Sequence, residues 1–271
     1  MSGPVSFLSD FSHHDEFIGV VHGVISKISP DVRVIDVIHE IPRGAIRAGA
    51  LALTRAIQYL PSGVVLAVVD PGVGTERKAL AIETAWGHFV GPDNGLVSPA
   101  VAMVGGATKA VGITNPDVII PSAGATFQGR DVFAPAAALL ASGEAQLSDL
   151  GPNLDLGELT PLLLPLPEIE QGRVSGEVWW IDVYGNAEMN MGPDELRLAG
   201  WDEGSELTVA VGATRHEARW VAAYAELSVD ELGLVVDSAG LMALTLNRGN
   251  AAAALNVGDG TAVTVLAQAT S

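Results

Sequence analysis

The first seventy or so residues alternate between short, unbroken apolar runs and longer segments with helical periodicity, and this alternation constrains the fold more than any other feature. The apolar runs are Val5–Leu8, Val32–Ile38 and Val64–Val69, and the helical spacing covers Glu16–Ser29 and Ile46–Tyr59. Strands that are apolar on both faces must be covered on both faces, and helices between successive strands provide that cover. The pattern therefore predicts an α/β domain with a mostly parallel sheet.

Further elements of this domain can be predicted from shorter patterns. Ala79–Glu83 and His88–Val90 resemble two short strands, and Leu96–Val104 and Asp131–Ser142 have helical spacing. Asp15 stands immediately before the first helical segment, where a carboxylate commonly caps the helix N-terminus. We therefore expect Asp15 to cap that helix.

The composition changes in the second half of the chain. The segment Gly151–Gly172 is rich in proline and has little periodicity, which indicates a linker. Short β-rich runs follow at close spacing, as is typical of a small barrel or sandwich. These runs are Glu177–Val183, Glu206–Val211, Leu232–Val236, Leu241–Leu246 and Ala262–Leu266. We expect domain 1 over residues 1–158, a linker over 159–171 and a smaller β domain over 172–271.

Charge and composition exclude several classes of protein. Of the 271 residues, 14 are Lys or Arg and 32 are Asp or Glu, so the net charge of −18 argues against nucleic acid and anionic membranes as partners. There is no cysteine, so neither a disulfide framework nor a cysteine nucleophile is available. No apolar run approaches the ~18 residues of a membrane-spanning helix, and no signal peptide is evident. We therefore expect a cytoplasmic protein.

The charged fraction of 17% is low for a protein surface. It is consistent with surface buried in an oligomer, and equally with an alanine-rich composition. The sequence alone leaves both explanations open.

Polar residues follow the predicted parallel strands at the ends where such sheets bind ligands. Asp10 follows the first strand, and Asp70 follows the third. A carboxylate at this edge suits the two hydroxyls of a ribose, although Asp10 would serve equally well as a turn or cap residue. Gly72 and Gly74 lack the Lys-Ser/Thr ending and the helix of a phosphate-binding loop.

Other polar residues lie in glycine-rich turns at 91–95, 127–131 and 182–186, where Asn, Asp and Gly have ordinary structural roles. An aromatic residue beside Gly-Asn, as at 184–186, could stack on a flat base. Adjacent side chains such as those of His13-His14-Asp15 point in different directions, so we expect no metal site. Ser205 and Ser238 lack a His/Asp context for a nucleophilic triad.

Taken together, the turns form an ordered set that resembles one family along nearly the whole chain. The set reads SDF, HEIP, DPGVGTxR, GPDNGL, FxGRDxFAP, DxYGN and NxGNA. It is similar to the S-adenosyl-L-methionine (SAM) hydrolases that form adenosine, or SAM hydroxide adenosyltransferases, which are relatives of fluorinase and chlorinase. The resemblance implies an N-terminal α/β domain and a C-terminal β-barrel. It also implies a homotrimer with its site between the N-terminal domain of one subunit and the C-terminal domain of the next.

The resemblance further implies roles for the matched residues. Asp70 and Arg77 match the first two members of a water-activating Asp-Arg-His triad, and Asp70 disfavours a halide nucleophile because a carboxylate repels an anion. The implied substrate contacts are Asp10 with the ribose hydroxyls, Asp182 with the methionine amino group, Ser238 near the methionine carboxylate, Tyr184 and Asn186 facing the adenine, and Asn250 and Ala251 at the adenine edge. The remaining matched residues, which we assign to the lining of the site, are Asp15, Asn94, Phe127 and Arg130.

One position departs from the family motif, because Gln128 stands where the triad histidine is expected. A glutamine amide can donate and accept hydrogen bonds, so it can orient a water molecule, but it has no accessible pKa with which to take a proton. Either the histidine is not the base, or this protein is slower, or the residue is a deliberate change. His13, His14 and His39 are alternatives that the spacing does not favour.

The expected activity is hydrolysis of SAM to adenosine and L-methionine by attack of activated water on ribose C5′. SAM is then the substrate, and we expect no cofactor and no metal. Two other classes remain open from the sequence: a non-catalytic sensor of SAM or adenosine, and a SAM-dependent halogenase.

Overall fold

The computed structural model describes residues 3–268, and these fall into two compact units that divide between Leu162 and Leu163. Among these residues, no helix combines the length and the apolar character needed to cross a membrane.

The first unit is a layered α/β structure. Its strands are β1 (Val5–Ser9), β2 (Val34–Ile38), β3 (Val64–Val68), β4 (Ala79–Glu83), β5 (His88–Pro92) and β6 (Lys109–Gly112). Its helices are α1 (Phe17–Ile28), α2 (Ile46–Ile57), α3 (Ser98–Met103) and α4 (Ala134–Ser142), with a π-helical turn at Gly129–Phe133 and 3₁₀ turns at Leu147–Asp149 and Leu156–Glu158.

The sheet of this unit has the strand order β2-β1-β3-β5-β4-β6. Strands β2, β1, β3 and β5 are parallel, whereas β4 runs antiparallel to both β5 and β6. The prediction of an α/β domain with a mostly parallel sheet is confirmed. The antiparallel pair arises because the tight turn at Trp86-Gly87 returns the chain directly, without a crossover helix.

Helices cover both faces of this sheet, as its apolar strands require. Phe7 of β1 is fully buried and packs in one core with Val21 and Ile25 of α1. On the opposite face a Cβ added at Gly49 of α2 would meet Leu8 and Leu96 within 3.7 Å. Adjacent strand residues therefore pack against different helices.

Strand β2 carries a bulge near its carboxyl end. Phe7 pairs with Asp36 and Leu8 pairs with Ile38, so one extra residue lies between the two pairs. A bulge of this kind shifts the alternation of side chains along the strand. It changes which side chains of β2 share a face beyond Asp36.

The second unit is a closed β-barrel. Its strands are β7 (Glu168–Glu170), β8 (Arg173–Ile181), β9 (Ala187–Met189), β10 (Glu206–Val211), β11 (Thr214–Trp220), β12 (Leu232–Val236), β13 (Met242–Leu246) and β14 (Ala262–Ala267). Its helices are α5 (Pro193–Leu198) and α6 (Ala251–Leu255), with a 3₁₀ turn at Tyr224–Glu226.

The strands of this unit follow the order β14-β10-β11-β12-β13-β9-β8-β7, and a further pairing of β14 with β8 closes a seven-stranded barrel with β7 outside it. Val209, Trp220, Leu244 and Val265 are buried in its core. The predicted C-terminal β-barrel is confirmed.

The prediction that Asp15 caps the first helix is wrong. Helix α1 begins at Phe17, and Glu16 occupies the capping position without a side-chain cap hydrogen bond. Asp15 is exposed in the preceding loop. The first helical turn therefore starts later than the acidic pattern indicated.

Candidate active site

The structure brings Asp10 and Asp70 to the same edge of the first sheet. Strands β1 and β3 are parallel neighbours, and the two carboxylates follow their carboxyl ends. Asp10 is fixed by a hydrogen bond from the backbone N–H of Gly44 to its Oδ2 at 2.8 Å. The two side chains are close enough for the charge on Asp10 to raise the pKa of Asp70.

Arg77 donates two hydrogen bonds to the Asp70 carboxylate. Its Nε donates to Oδ1 at 3.2 Å, and its Nη2 donates to Oδ2. The side chains of Arg77 and Asp70 are only 9% and 6% exposed. Burial raises the pKa of the Asp70 carboxyl above its ordinary value of 3.8, and the charge and hydrogen bonds of Arg77 oppose that rise. A bidentate ion pair of this kind fixes the orientation of the carboxylate as well as stabilising its charge.

Gln128 completes a connected cluster with these two residues. The Arg77 Nη2 also donates to Gln128 Oε1 at 2.5 Å. The oxygen of the amide is thereby used, so its Nε2 remains the group that can donate to a ligand. The Arg77 guanidinium also lies 5.5 Å from the ring centroid of Phe133, which limits its movement.

Phe127 and Arg130 lie beside this cluster and pack on one another. The Phe127 ring meets the rings of Phe11 and Phe17 edge-on at 5.8 and 5.0 Å, and the Arg130 guanidinium lies 5.1 Å from its centroid. Arg130 donates to both carboxylate oxygens of Asp131, at 2.6 and 2.9 Å, and these bonds raise the pKa of Arg130. Its charge is thus already partly neutralised.

Asn94 connects two loops at this edge of the sheet. Its Nδ2 donates to the carbonyl of Val69 at 2.8 Å, and its Oδ1 accepts from the N–H of Leu96 at 3.1 Å. The side chain therefore fastens the loop after β5 to the end of β3. Asp15 is exposed, and the structure does not bring it into the Asp70–Arg77–Gln128 cluster.

The second unit contains a cavity of about 840 Å³, large enough for a nucleoside. The residues that line it are Asp182, Tyr184, Asn186, Glu188, Tyr224, Asp237, Ser238, Thr245, Leu246, Arg248, Gly249 and Asn250. Burial, and then the charges of Asp182, Asp237 and Glu188, raise the pKa of Tyr224 above its ordinary 10.0. Three carboxylates and one arginine, Arg248, line the cavity, so its lining carries a net negative charge and suits a cationic ligand.

The turn at 182–186 is held by its own side chains. Asp182 Oδ1 accepts from the N–H groups of Tyr184 and Asn186, each at 2.9 Å, and its Oδ2 accepts from Asn186 Nδ2 at 2.8 Å. Asn186 Oδ1 in turn accepts from the hydroxyl of Thr245 at 2.6 Å. Both groups of the Asn186 amide are thus engaged, whereas Tyr184 is 77% exposed and its ring is available for stacking.

Asn250 and Ala251 lie at the start of α6, against that turn. Asn250 caps the helix by accepting from the N–H of Ala253 at 2.7 Å, and Ala251 is fully buried. The N–H of Ala252 donates to the carbonyl of Gly185 at 2.9 Å. Gly185 has φ +86°, and a Cβ there would lie 2.2 Å from the Asn250 side chain, so this close approach requires glycine.

Ser238 is exposed in a turn that Asp237 holds. Asp237 Oδ1 accepts from the N–H groups of Ala239 and Leu241, both at 2.8 Å. Its Oδ2 is buried and has no hydrogen-bond partner among residues 3–268. This carboxylate oxygen of Asp237 can therefore still accept a hydrogen bond.

Sequence reasoning missed several of the residues that line this cavity, namely Glu188, Tyr224, Asp237 and Thr245. Only Glu188 had a local sequence signal: it alternates with the apolar residues Ala187 and Met189 on β9, a pattern that places it on the opposite face of the strand. The others reach the cavity through strand pairings that are distant in sequence. Within the described chain, no group of three or more His, Cys, Asp or Glu is placed to hold a metal ion.

An α/β unit with a partly buried Asp-Arg-Gln cluster and a seven-stranded barrel with an acidic cavity together define a two-domain class of protein. Residues 5–151 match the SAM hydroxide adenosyltransferase N-terminal domain, and residues 176–264 match the corresponding C-terminal domain. The chain belongs to the SAM hydroxide adenosyltransferase family, which confirms the resemblance found in the sequence.

Individual relatives match over nearly the whole chain. The (R)-S-adenosyl-L-methionine hydrolase of Salinispora tropica is 40% identical over 97% of each chain, and that of Thermus thermophilus is 39% identical over 97% of this chain and 99% of the relative. A fluorinase from Actinopolyspora mzabensis is 26% identical over 96% of each. A crystal structure of an uncharacterized conserved protein from Thermotoga maritima superposes with a TM-score of 0.90, at 33% identity over 97% of this chain and 99% of that one.

Proposed function

We propose that this protein hydrolyses SAM to adenosine and L-methionine by attack of water or hydroxide on ribose C5′. The observation that carries the proposal is the partly buried Asp70–Arg77–Gln128 cluster at the same sheet edge as Asp10. The 40% identity to relatives named (R)-S-adenosyl-L-methionine hydrolase supports it.

The acidic cavity suits the charges of this substrate. SAM carries a positive sulfonium and a positive ammonium group, and the carboxylates of Asp182, Glu188 and Asp237 favour both. We assign the ammonium to Asp182 and the methionine carboxylate to the Ser238 region. Tyr184 is assigned to stacking on the adenine.

The adenine edge and the ribose complete the assignment. Asn186, Asn250 and Ala251 flank the adenine, where Asn186 acts mainly by holding the turn, because its amide is already engaged. In the first unit, Asp10 accepts hydrogen bonds from the two ribose hydroxyls. Asn94, Phe127 and Arg130 shape the lining around it.

The reaction is a backside displacement. An oxygen–C5′ bond forms while the C5′–S bond breaks, and the bonding pair remains on sulfur, which leaves as the neutral thioether of methionine. No general acid is needed, because the leaving group is already cationic. The contribution of the site is therefore mainly to place the oxygen opposite the C5′–S bond.

Within the cluster, Asp70 is the group that can accept the proton of the attacking water. Its raised pKa makes it a better base than an ordinary aspartate, and Arg77 holds it in one orientation. Gln128 donates from Nε2 to the water oxygen and takes no proton. This division of roles needs no histidine at position 128.

We also propose a homotrimer in which one subunit supplies Asp70 and its neighbour supplies Asp182. The two residues belong to different units of the chain, so the idea can be tested by subunit complementation. Two impaired variants, Asp70→Asn and Asp182→Asn, are unfolded, mixed and refolded together, and the mixture is assayed at a SAM concentration well below the KM of Asp182→Asn. Restored turnover in the mixture is expected, whereas a mixture no more active than its parts would show that both residues act within one subunit.

The cytoplasmic location and the lack of a cofactor remain predictions.

The function itself is tested by incubating the purified protein with SAM, with and without chloride, and separating the products by chromatography. We expect adenosine and methionine in equal amounts in both cases. Formation of 5′-chloroadenosine would indicate a halogenase. SAM that is bound but remains intact would indicate a sensor, the alternative that Gln128 leaves open, and would overturn the proposal.

A further inference from the structure

A chain of three hydrogen-bonded side chains, two of them buried, lies beside Asp10 and is not used by the proposed chemistry. The hydroxyl of Ser9 lies 2.7 Å from His39 Nδ1, and His39 Nε2 lies 3.0 Å from Asp36 Oδ1. Ser9 and His39 are 0% and 2% exposed. The set has the residue types of a nucleophilic triad, but a serine with no exposure cannot reach a substrate.

The bulge in β2 makes this chain possible. Asp36 and His39 are three residues apart, a spacing that places side chains on opposite faces of a regular strand. The extra residue between the Phe7–Asp36 and Leu8–Ile38 pairs restores them to one face. That face is the one on which Phe7 packs, and its ring lies 4.5 Å from that of His39.

The hydrogen bonds of the chain have a defined direction. An ionised Asp36 only accepts, so His39 Nε2 carries the proton and donates to it. The Nδ1 of a neutral His39 then accepts from the Ser9 hydroxyl. Burial lowers the pKa of His39, which supports the neutral form, while Asp36 opposes this and the nearby His13 and His22 reinforce it.

The chain and its neighbours hold the loop that carries Asp10. Ser9 directly precedes Asp10, and its Oγ accepts from the N–H of Phe11 at 3.4 Å. The N–H of Ser12 donates to the carbonyl of His39 at 2.9 Å. The end of β2 therefore fixes the backbone on both sides of Asp10.

We propose that Asp36 and His39 are positioning residues that act through Ser9 to aim the Asp10 carboxylate at a ribose diol, and so set a preference for ribose over 2′-deoxyribose ligands. This inference rests on the proposed role of Asp10. A ligand without the 2′-hydroxyl loses one hydrogen bond to a carboxylate that is held in place. It loses less when that carboxylate can move.

The test compares the dissociation constants of adenosine and 2′-deoxyadenosine by calorimetry. The variants are Ser9→Ala, which removes the end of the chain next to Asp10, and Asp36→Ala, which removes the other end, where the side chain is 45% exposed. Ser6→Ala is the matched control, because Ser6 lies on the same strand, is 1% exposed and has an Oγ without a hydrogen-bond partner among the described residues.

We expect the parent and Ser6→Ala to prefer adenosine by about tenfold, the effect of one hydrogen bond to a charged group. Ser9→Ala and Asp36→Ala should reduce that preference to about twofold while their melting temperatures confirm that they fold. An unchanged preference in both variants would overturn the inference and leave the role of Asp10 intact. A parent that binds neither nucleoside, or binds both equally, would refute the role of Asp10 itself and the inference with it.

Discussion

The two units of the molecule use polar side chains in different ways. In the first unit, Asp70, Arg77 and Gln128 bond to one another, so charge is concentrated at one buried point. In the second unit, Asp182 and Asp237 bond to the backbone of their own turns. From this difference we expect the first unit to stabilise a reacting group and the second to keep a cavity in shape. Variants in the two should therefore fail in different kinetic constants.

The largest effect is expected from the first unit. Asp70→Asn removes the proposed base and Arg77→Ala removes the group proposed to orient it, so each should lower kcat by about 10²- to 10⁴-fold while SAM binding remains. Steady-state kinetics and calorimetry with SAM check this together. The exposed Asp117→Asn is the matched control and should behave as the parent. Unchanged kcat in both variants would refute the assignment.

A smaller effect in a different constant is expected from the second unit. Asp182→Asn loses the charge that we assign to the ammonium of SAM and weakens the 182–186 turn, so KM should rise by about ten- to a hundredfold with a lesser change in kcat. Asp259→Asn, an exposed carboxylate of the same unit, is the control. If kcat fell as far as in Asp70→Asn, the proposed division between the two units would be wrong.

A third prediction concerns the close packing of the 182–186 turn, which lines the cavity and contains Gly185. Gly185 and Gly212 have φ +86° and +58°, but a Cβ at Gly185 would overlap Asn250, whereas nothing lies within 4 Å at Gly212. Gly185→Ala should therefore destabilise the protein by about 1–3 kcal/mol more than Gly212→Ala. Thermal unfolding of both variants measures this. Equal melting temperatures would show that the 182–186 turn can rearrange freely.

The smallest effect concerns position 128 and the pH dependence. The raised pKa of Asp70 places the acidic loss of turnover above pH 3.8, because protonation removes the charge that accepts from water. The parent has no titratable group at 128, so that position should add no further step to the pH–rate profile near pH 6.5.

Gln128→His should raise kcat several-fold above the pKa of the new histidine and add a step to the pH–rate profile at that pKa. A profile identical to that of the parent would show that Gln128 is fully adequate.

The sequence predicted the first unit better than the second for a physical reason. Strands buried on both faces, such as β1 and β3, are continuous apolar runs and can be recognised without context. Strand β11 was missed because only Ala218 and Trp220 of its residues are buried, so its pattern resembles a loop. Helix α6 was also missed, because it is only one turn long and its start is defined by the Asn250 cap.

The same contrast applies to the candidate site. Asp70, Arg77 and Gln128 became candidates because the ordered set of turns that contains them resembles one family, whereas each turn alone fits a structural role equally well. Tyr224 and Asp237 reach the cavity only after distant strands have paired to close the barrel, and local patterns carry little information about such pairings. The Asp36–His39 alignment depends on a one-residue bulge that no spacing rule indicated.

The central claim is that water held by the Asp70–Arg77–Gln128 cluster attacks C5′. Turnover of SAM in ¹⁸O-labelled water, followed by mass spectrometry of both products, tests it most directly. We predict one ¹⁸O atom in the 5′-hydroxyl of adenosine, none in methionine, and a rate of incorporation that falls with the Asp70→Asn substitution. Adenosine without the label, or labelling that is equally fast in Asp70→Asn, would contradict the account.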